Sequence, residues 1–191
     1  MVWIYRAFFE PGTGGNKRET EHEQGLWLLR RALRERYGIG CGEGRMPELV
    51  EGAHGKPYLK EYPLIHFNIS HSGVYGACAL SFIPCGLDIQ EVRKVRSRKM
   101  LERVLSREEQ ELVQKAQKPE VEFCRFWARK ESFLKLSGDG ITRSMRDLEQ
   151  PGWYQEFQVD SQVLGCICAG EHFQVSIQQV PQEKFFQRFL V

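Results

Sequence analysis

An apolar run from Val2 to Phe9, interrupted by Arg6, reads as a strand, and Pro11 to Asn16 as a loop. Thr20 with Glu23 has the spacing of a capping box. Leu26, Leu29, Leu33 and Tyr37 then recur at helical intervals until Gly38, which predicts a helix that opens at Thr20 and stops at the glycine. Cys41 to Gly55 is glycine-rich and irregular. Strands are expected around Leu64 to Ile69 and Val74 to Phe82, with Ser81 to Cys85 as the junction to a second lobe. Beyond it Leu87 and Ile89 alternate with polar residues, the period of a short strand on which Asp88 and Gln90 share a face and Glu91 points the other way. Ser106 with Glu109 gives another capping box, and Pro119 separates that helix from the next. The last third holds strands near Trp153 to Val159, Val163 to Ala169 and Phe173 to Val180. The pattern is that of an α/β chain of the α+β kind, with an N-terminal lobe over 1–84 and a C-terminal lobe over 85–191.

The chain has 191 residues, enough to bury a core and compatible with one or two domains. A formal net charge of +2 gives no case for general nucleic-acid binding. Locally the balance differs: Arg93, Lys94, Arg96, Arg98, Lys99 and Arg103 are opposed only by Glu102 in that stretch. Such a run is by default a solvated face. Six cysteines, at 41, 78, 85, 124, 166 and 168, lack Cys-x-x-Cys spacing and read as reduced core thiols rather than disulfides or a zinc site. The first ten residues are too short and too interrupted for a signal-peptide core, and no run reaches the length of a membrane span. A cytoplasmic monomer without membrane or nucleic-acid partners is expected.

Candidate chemistry begins in the helix after Pro119. Cys124, Trp127, Glu131 and Leu134 fall on one helical face, which sets a carboxylate among apolar neighbours. A buried carboxylate costs several kcal/mol unless it is paired, hydrogen-bonded or bound to a metal. Lys135, four residues on, is the nearest partner, and a structural Glu131–Lys135 pair is the plain reading. Asp88 and Gln90 offer an acid and an amide oxygen that, with Glu131, would make a small oxygen-ligand site suited to Mg2+. Ser70, His71 and Ser72 bring hydroxyls and an imidazole next to Gly73. Lys56, in Gly55-Lys56-Pro57, adds a cation, so these groups suit a phosphate.

Taken in order, Gly55-Lys56-Pro57, Phe67-Asn68-Ile69-Ser70-His71-Ser72, Gly86-Leu87-Asp88-Ile89 and Trp127-x-x-Lys130-Glu131-Ser132-x-x-Lys135-x-x-Gly138-x-Gly140 resemble the Sfp-type 4'-phosphopantetheinyl transferases. The resemblance implies two similar lobes related by a pseudo-twofold axis, each a small sheet packed with a long helix. It implies transfer of phosphopantetheine from coenzyme A to a serine of an acyl, peptidyl or polyketide carrier protein, with release of adenosine 3',5'-bisphosphate. By the family pattern Asp88, Gln90 and Glu131 would hold Mg2+ or Mn2+, and Glu131 would take the serine proton. One or both of the motif's lysines, Lys130 and Lys135, would face the diphosphate, with Lys135 sharing the face of Glu131 better and also in the catalytic set. Lys56, Ser70 and His71 would hold the nucleotide phosphates. The segment from Arg93 to Arg103 would help dock the acidic carrier.

Two positions depart from the family. Gln90 stands where many members carry a second acid, which removes a negative charge and implies weaker metal binding. Glu21-His22-Glu23-Gln24 lacks an arginine that relatives use for the nucleotide. The alternative is a coenzyme A- or nucleotide-binding module that has lost transfer, and a small-nucleotide phosphohydrolase ranks last. The stretch from Gly140 to Tyr154 is short for the family, as if a hairpin were missing.

Overall fold

The computed structural model describes residues 1–9, 17–40, 45–52, 55–94, 97–138 and 145–181. Its elements, in chain order, are β1 (Val2–Phe8), α1 (Lys17–Tyr37), β2 (Leu49–Glu51), β3 (Pro57–Leu59), β4 (His66–Ser72), β5 (Tyr75–Ser81) and β6 (Cys85–Glu91). They continue with α2 (Arg98–Val104), α3 (Arg107–Lys115), α4 (Pro119–Ser137), β7 (Trp153–Asp160), β8 (Val163–Ala169) and β9 (Val175–Gln179). This is the expected mixed fold of small sheets and helices. Gly140 and the rest of 139–144 lie outside the described residues, as do Pro11 to Asn16 and Cys41.

Two larger sheets carry the molecule, with strand orders β4-β5-β1-β9 and β6-β8-β7; β2 and β3 pair separately. Strand alternation sorts each sheet into two faces. Tyr5, Ala7, Phe67, Cys78 and Leu80 meet Leu28, Leu29, Ala32 and Leu33 of α1. The opposite face, with Val2, Ile4, Ala77 and Ala79, shares a core with Leu87, Ile89, Val163 and Ile167 of the other sheet. On the far side of that second sheet lies α4, so the layers run α1, sheet, sheet, α4. The strand at the end of the 85–191 half returns to the first sheet, where β9 runs parallel to β1 from Val175 opposite Val2 to Gln179 opposite Arg6.

β4 and β6 are outer strands of different sheets, and side chains join them. Asn68 Oδ1, Ser70 Oγ and Ser72 Oγ accept the backbone N–H groups of Leu87, Ile89 and Glu91 at 2.9, 3.2 and 2.8 Å. Every pair is 19 residues apart in sequence, so the two strands run in the same direction. This row of polar side chains replaces a ladder and satisfies amides that burial would otherwise strand. The polar positions of Asn68-Ile69-Ser70-His71-Ser72 are thereby accounted for by folding as well as by chemistry.

Helix ends follow the sequence in one place and depart from it in another. Ser106 and Glu109 form the expected capping box, with both reciprocal bonds present. Thr20 is no cap: α1 already begins at Lys17, because the polar residues that precede Thr20 extend the helix without any apolar signal to mark its start. Leu28, fully buried, belongs to its packed stripe, whereas Leu26 is only half-buried. Gly25 lies on the packed side, where a Cβ would stand 2.7 Å from Ile69 Cγ2 and 2.8 Å from His71 Nε2. The short α2, capped by Ser97, and the β2–β3 hairpin were not expected from the pattern.

Candidate active site

Where α4 crosses β6 the backbones nearly touch. A Cβ on Gly86 would stand 1.9 Å from the Ser132 carbonyl oxygen and 2.4 Å from the Leu136 nitrogen, so only glycine permits the crossing. The crossing fixes one helical turn of α4 against the polar face of β6. Gly138, at φ +81° and donating to Leu134 O at 2.9 Å, ends the helix just beyond.

Asp88, Gln90, Ser70 and Lys135 meet at this crossing. Asp88 Oδ1 accepts from Lys135 Nζ at 2.7 Å and from Ser70 Oγ at 2.9 Å, and Asp88 Oδ2 accepts from Gln90 Nε2 at 3.0 Å. Lys135 also donates to Ser70 Oγ at 2.9 Å. The partner of Lys135 is therefore Asp88, and the plain Glu131–Lys135 pair is not formed as a direct bond. Ser70 is fully engaged: its proton goes to Asp88, and its oxygen accepts from Ile89 and Lys135. Such a hydroxyl positions the acid and leaves nothing free for a phosphate.

Glu131 is 6% exposed, and its Oε1 is buried with no hydrogen-bond partner. Burial pushes its carboxyl up to about 7, with the Asp88 charge adding to the rise and Lys135 opposing it. Glu131 and Lys135 line one cleft together with Gly55, Lys56, Asn68 and Gly138. At about 190 Å³ it is smaller than the roughly 300–1,000 Å³ of ordinary ligand pockets, so it holds a charged end of a ligand and leaves the remainder outside. No group of three or more metal-type side chains occurs among the described residues. A cation here would depend on Asp88, Glu131, an amide oxygen and oxygens brought by the ligand, which is a donor set that Mg2+ accepts. The unpaired Glu131 Oε1 fits that use.

Three expected site residues are placed differently. Lys130 is 1% exposed, donating to Glu109 Oε2 at 2.6 Å and to the carbonyls of Val104, Met145 and Arg146 at 2.8, 2.9 and 3.4 Å. It ties α4 to the corner between α2 and α3, and its charge is matched there by Glu109. Lys130→Met is expected to lower stability by about 3 kcal/mol, because Glu109 and the carbonyls lose their donor. Denaturant unfolding measures this, and unaltered stability with weakened coenzyme binding would restore Lys130 to the site. Lys56 lies in the cleft wall, but its Nζ donates to Leu136 O at 3.1 Å and Cys85 O at 3.2 Å, a cation at the carboxyl end of α4. His71 turns toward α1, its Nε2 buried without a partner beside Gly25. Burial holds its imidazole down to about 4; Glu21 pulls upward, while Lys135 and His22 act downward, so it is neutral at physiological pH.

Asn68 and Ser72 were not singled out from sequence as aligning groups, yet they hold the strand that carries Asp88. Their spacing at alternate strand positions was the available signal.

Residues 84–174 match the family model described as the 4'-phosphopantetheinyl transferase superfamily. Among curated relatives, the 4'-phosphopantetheinyl transferase psf-1 of Bacillus pumilus is 30% identical over 175 residues, covering 78% of this chain and 72% of that protein. A 4'-phosphopantetheinyl transferase of Bacillus subtilis is 35% identical over 124 residues, covering 62% of this chain and 52% of that protein. The 4'-phosphopantetheinyl transferase Sfp of Bacillus subtilis strain 168 is 29% identical over 135 residues, covering 61% of this chain and 60% of that protein. The chain thus spans only about half to three fifths of the latter two relatives. No helix among the described residues is long and apolar enough to cross a membrane.

Proposed function

The chain belongs to the 4'-phosphopantetheinyl transferase superfamily, and on that ground we propose that it moves phosphopantetheine from coenzyme A to a serine of an apo carrier protein. The observation that carries the reading is the α4–β6 crossing, which sets an unpaired buried carboxylate beside an aspartate and a lysine at one cleft. The serine oxygen forms a bond to the phosphorus that bears the pantetheine arm, the bridging P–O bond breaks, and adenosine 3',5'-bisphosphate departs. Reactions of this kind depend mostly on positioning and charge. Glu131, with a carboxyl that titrates near neutral pH, suits the base that takes the serine proton. Lys135, 28% exposed at the cleft, suits the diphosphate.

Asp88 and Glu131 would hold Mg2+ or Mn2+, with the Gln90 amide oxygen as a weak third ligand. When bound, the ion would neutralise diphosphate charge. Gln90→Glu is expected to lower the Mg2+ concentration for half-maximal rate several-fold, since it returns a negative charge. An unchanged or raised requirement in a rate titration would mean that Gln90 does not face the metal.

The carrier would dock on the basic segment from Arg93 to Arg103. Lys99 and the half-exposed Met100 on α2 support this, together with the exposed Leu112 of α3, a charged and apolar mix that suits an acidic partner. Arg93 and Arg98 are already paired with Glu91 and Glu102, so the net field is smaller than the residue count suggests. Arg96 lies outside the described residues. Five buried, free thiols support a reducing compartment such as the cytoplasm. We treat the enzyme as a monomer with lobes 1–84 and 85–191, since Asn68 of the first and Glu131 and Lys135 of the second line one cleft, with β9 crossing back to complete the first sheet.

Mass spectrometry of apo carrier proteins incubated with this protein, coenzyme A and Mg2+, with an EDTA control, tests the proposal. A metal-dependent gain of one phosphopantetheine is the expected result. No gain on several carriers, despite coenzyme A binding, would favour a binding module without transfer.

A further inference from the structure

Both oxygens of Asp88 carry donors. Oδ1 carries both the Lys135 ammonium, at 2.7 Å, and the Ser70 hydroxyl, at 2.9 Å, while Oδ2 carries the Gln90 amide at 3.0 Å. Glu131, which lines the cleft together with Lys135, is the opposite case, with Oε1 buried and without a donor. One carboxylate thus carries three donors, while the other has an oxygen with none. The donor that bears charge is a lysine, and the two ends of its ion pair differ. The Asp88 side chain is 4% exposed, so the pair is held inside the protein, yet Lys135 is 28% exposed and reaches the cleft.

We infer that Lys135 is an internal stand-in for the divalent cation: it occupies Asp88 until a coenzyme diphosphate draws it away, and its departure opens Asp88 to the metal. The inference rests on the transferase reading above and deepens it. An ammonium and a divalent cation compete for one carboxylate oxygen, because their like charges repel at contact distance in a site of low dielectric. Lysine is a compact charge on a flexible four-carbon stem, so Nζ can swing without moving α4. Ser70 remains on Oδ1 as a neutral donor, and Gln90 can turn its amide to present oxygen. An acid at position 90 would attract both cations, the doubly charged ion more strongly than the ammonium, so the glutamine makes the exchange depend more strongly on the coenzyme. Metal and coenzyme are thereby coupled through one side chain. By thermodynamic reciprocity each raises the affinity of the other by the same factor.

Titration of the full chain with Mn2+, followed by the electron paramagnetic resonance signal of free Mn2+, tests this with and without saturating coenzyme A. Wild type is expected to bind Mn2+ about tenfold or more tightly with coenzyme A than without it, within the range of allosteric couplings. Lys135→Gln is expected to bind Mn2+ alone about tenfold more tightly than wild type, yet no more tightly once coenzyme A is present, so that the coupling falls by the same factor. Lys135→Met, which offers no amide in place of the ammonium, must behave alike. Equal tightening with and without coenzyme A would reduce Lys135 to a general positive charge and overturn the inference. Unchanged Mn2+ binding in both variants would also overturn it. Either of these results leaves the transferase reading standing, since carrier modification is measured separately. Failure of wild type to bind Mn2+ even with coenzyme A would overturn both.

Discussion

Glu131→Gln is expected to lower the rate of carrier modification by about 10²–10⁴-fold, the range for loss of a general base, and further if metal ligation is lost with it. The same change should leave the fold intact and stabilise it at neutral and higher pH. The sign follows from the carboxyl rising from its ordinary 4.5 to about 7 in the folded chain. Between those two values the folded state holds a proton that the unfolded state has released, so the contribution of Glu131 to wild-type stability falls as pH rises through that window and is constant on either side. Glutamine has no such loss. Thermal unfolding with EDTA present should therefore show the variant's advantage growing from about pH 4.5 to about pH 7. Wild-type rates in the variant would remove Glu131 from the mechanism. A stability difference independent of pH would mean that the carboxyl is not held out of water.

Gly86→Ala should be the most damaging methyl among the described glycines, at about 4 kcal/mol or more. The obstacle is backbone, the Ser132 carbonyl at 1.9 Å and the Leu136 nitrogen at 2.4 Å, and no side-chain rotation can relieve it. α4 would have to lift off β6, carrying Glu131 and Lys135 away from Asp88. Loss of transfer should accompany a large fall in the midpoint of unfolding, and the soluble fraction should shrink. Full activity and stability would show that α4 does not approach β6 as closely as described.

These two residues also mark how far the sequence could be read. Glu131 declares itself locally, as a carboxylate in an apolar helical stripe. Gly86 is legible as a strand opening, but the reason for glycine is a contact with a helix almost fifty residues away, and no local pattern contains it. Lys130 shows the limit more sharply. It sits next to Glu131 in the motif, and the helical offset of about a hundred degrees that favours Lys135 can be counted in the sequence, but its partners, Glu109 and three carbonyls, are brought to it only by the fold. Ser70 was read as a phosphate ligand because hydroxyls beside a glycine suit anions. Its actual partners come from β6 and α4, and only the fold brings them there. The capping box at Ser106 was recoverable because both halves of it lie within four residues. The start of α1 was not, since a helix that begins in a polar stretch leaves no apolar period to count.

The parallel pairing of β9 with β1 has a consequence for how the molecule is made. During synthesis β1, β4 and β5 are available long before Val175 is added, and the outer edge of β1 must wait for it. An unfilled strand edge is a template for joining other chains. Arg6 adds to the delay, for its guanidinium donates to the carbonyls of Gln158 and Val159, also late in the chain. A nascent chain stalled near residue 84 is therefore not half an enzyme but a sheet with an open side. Slowing translation through the second half would raise aggregation even though every residue of the first sheet up to β5 is already in place.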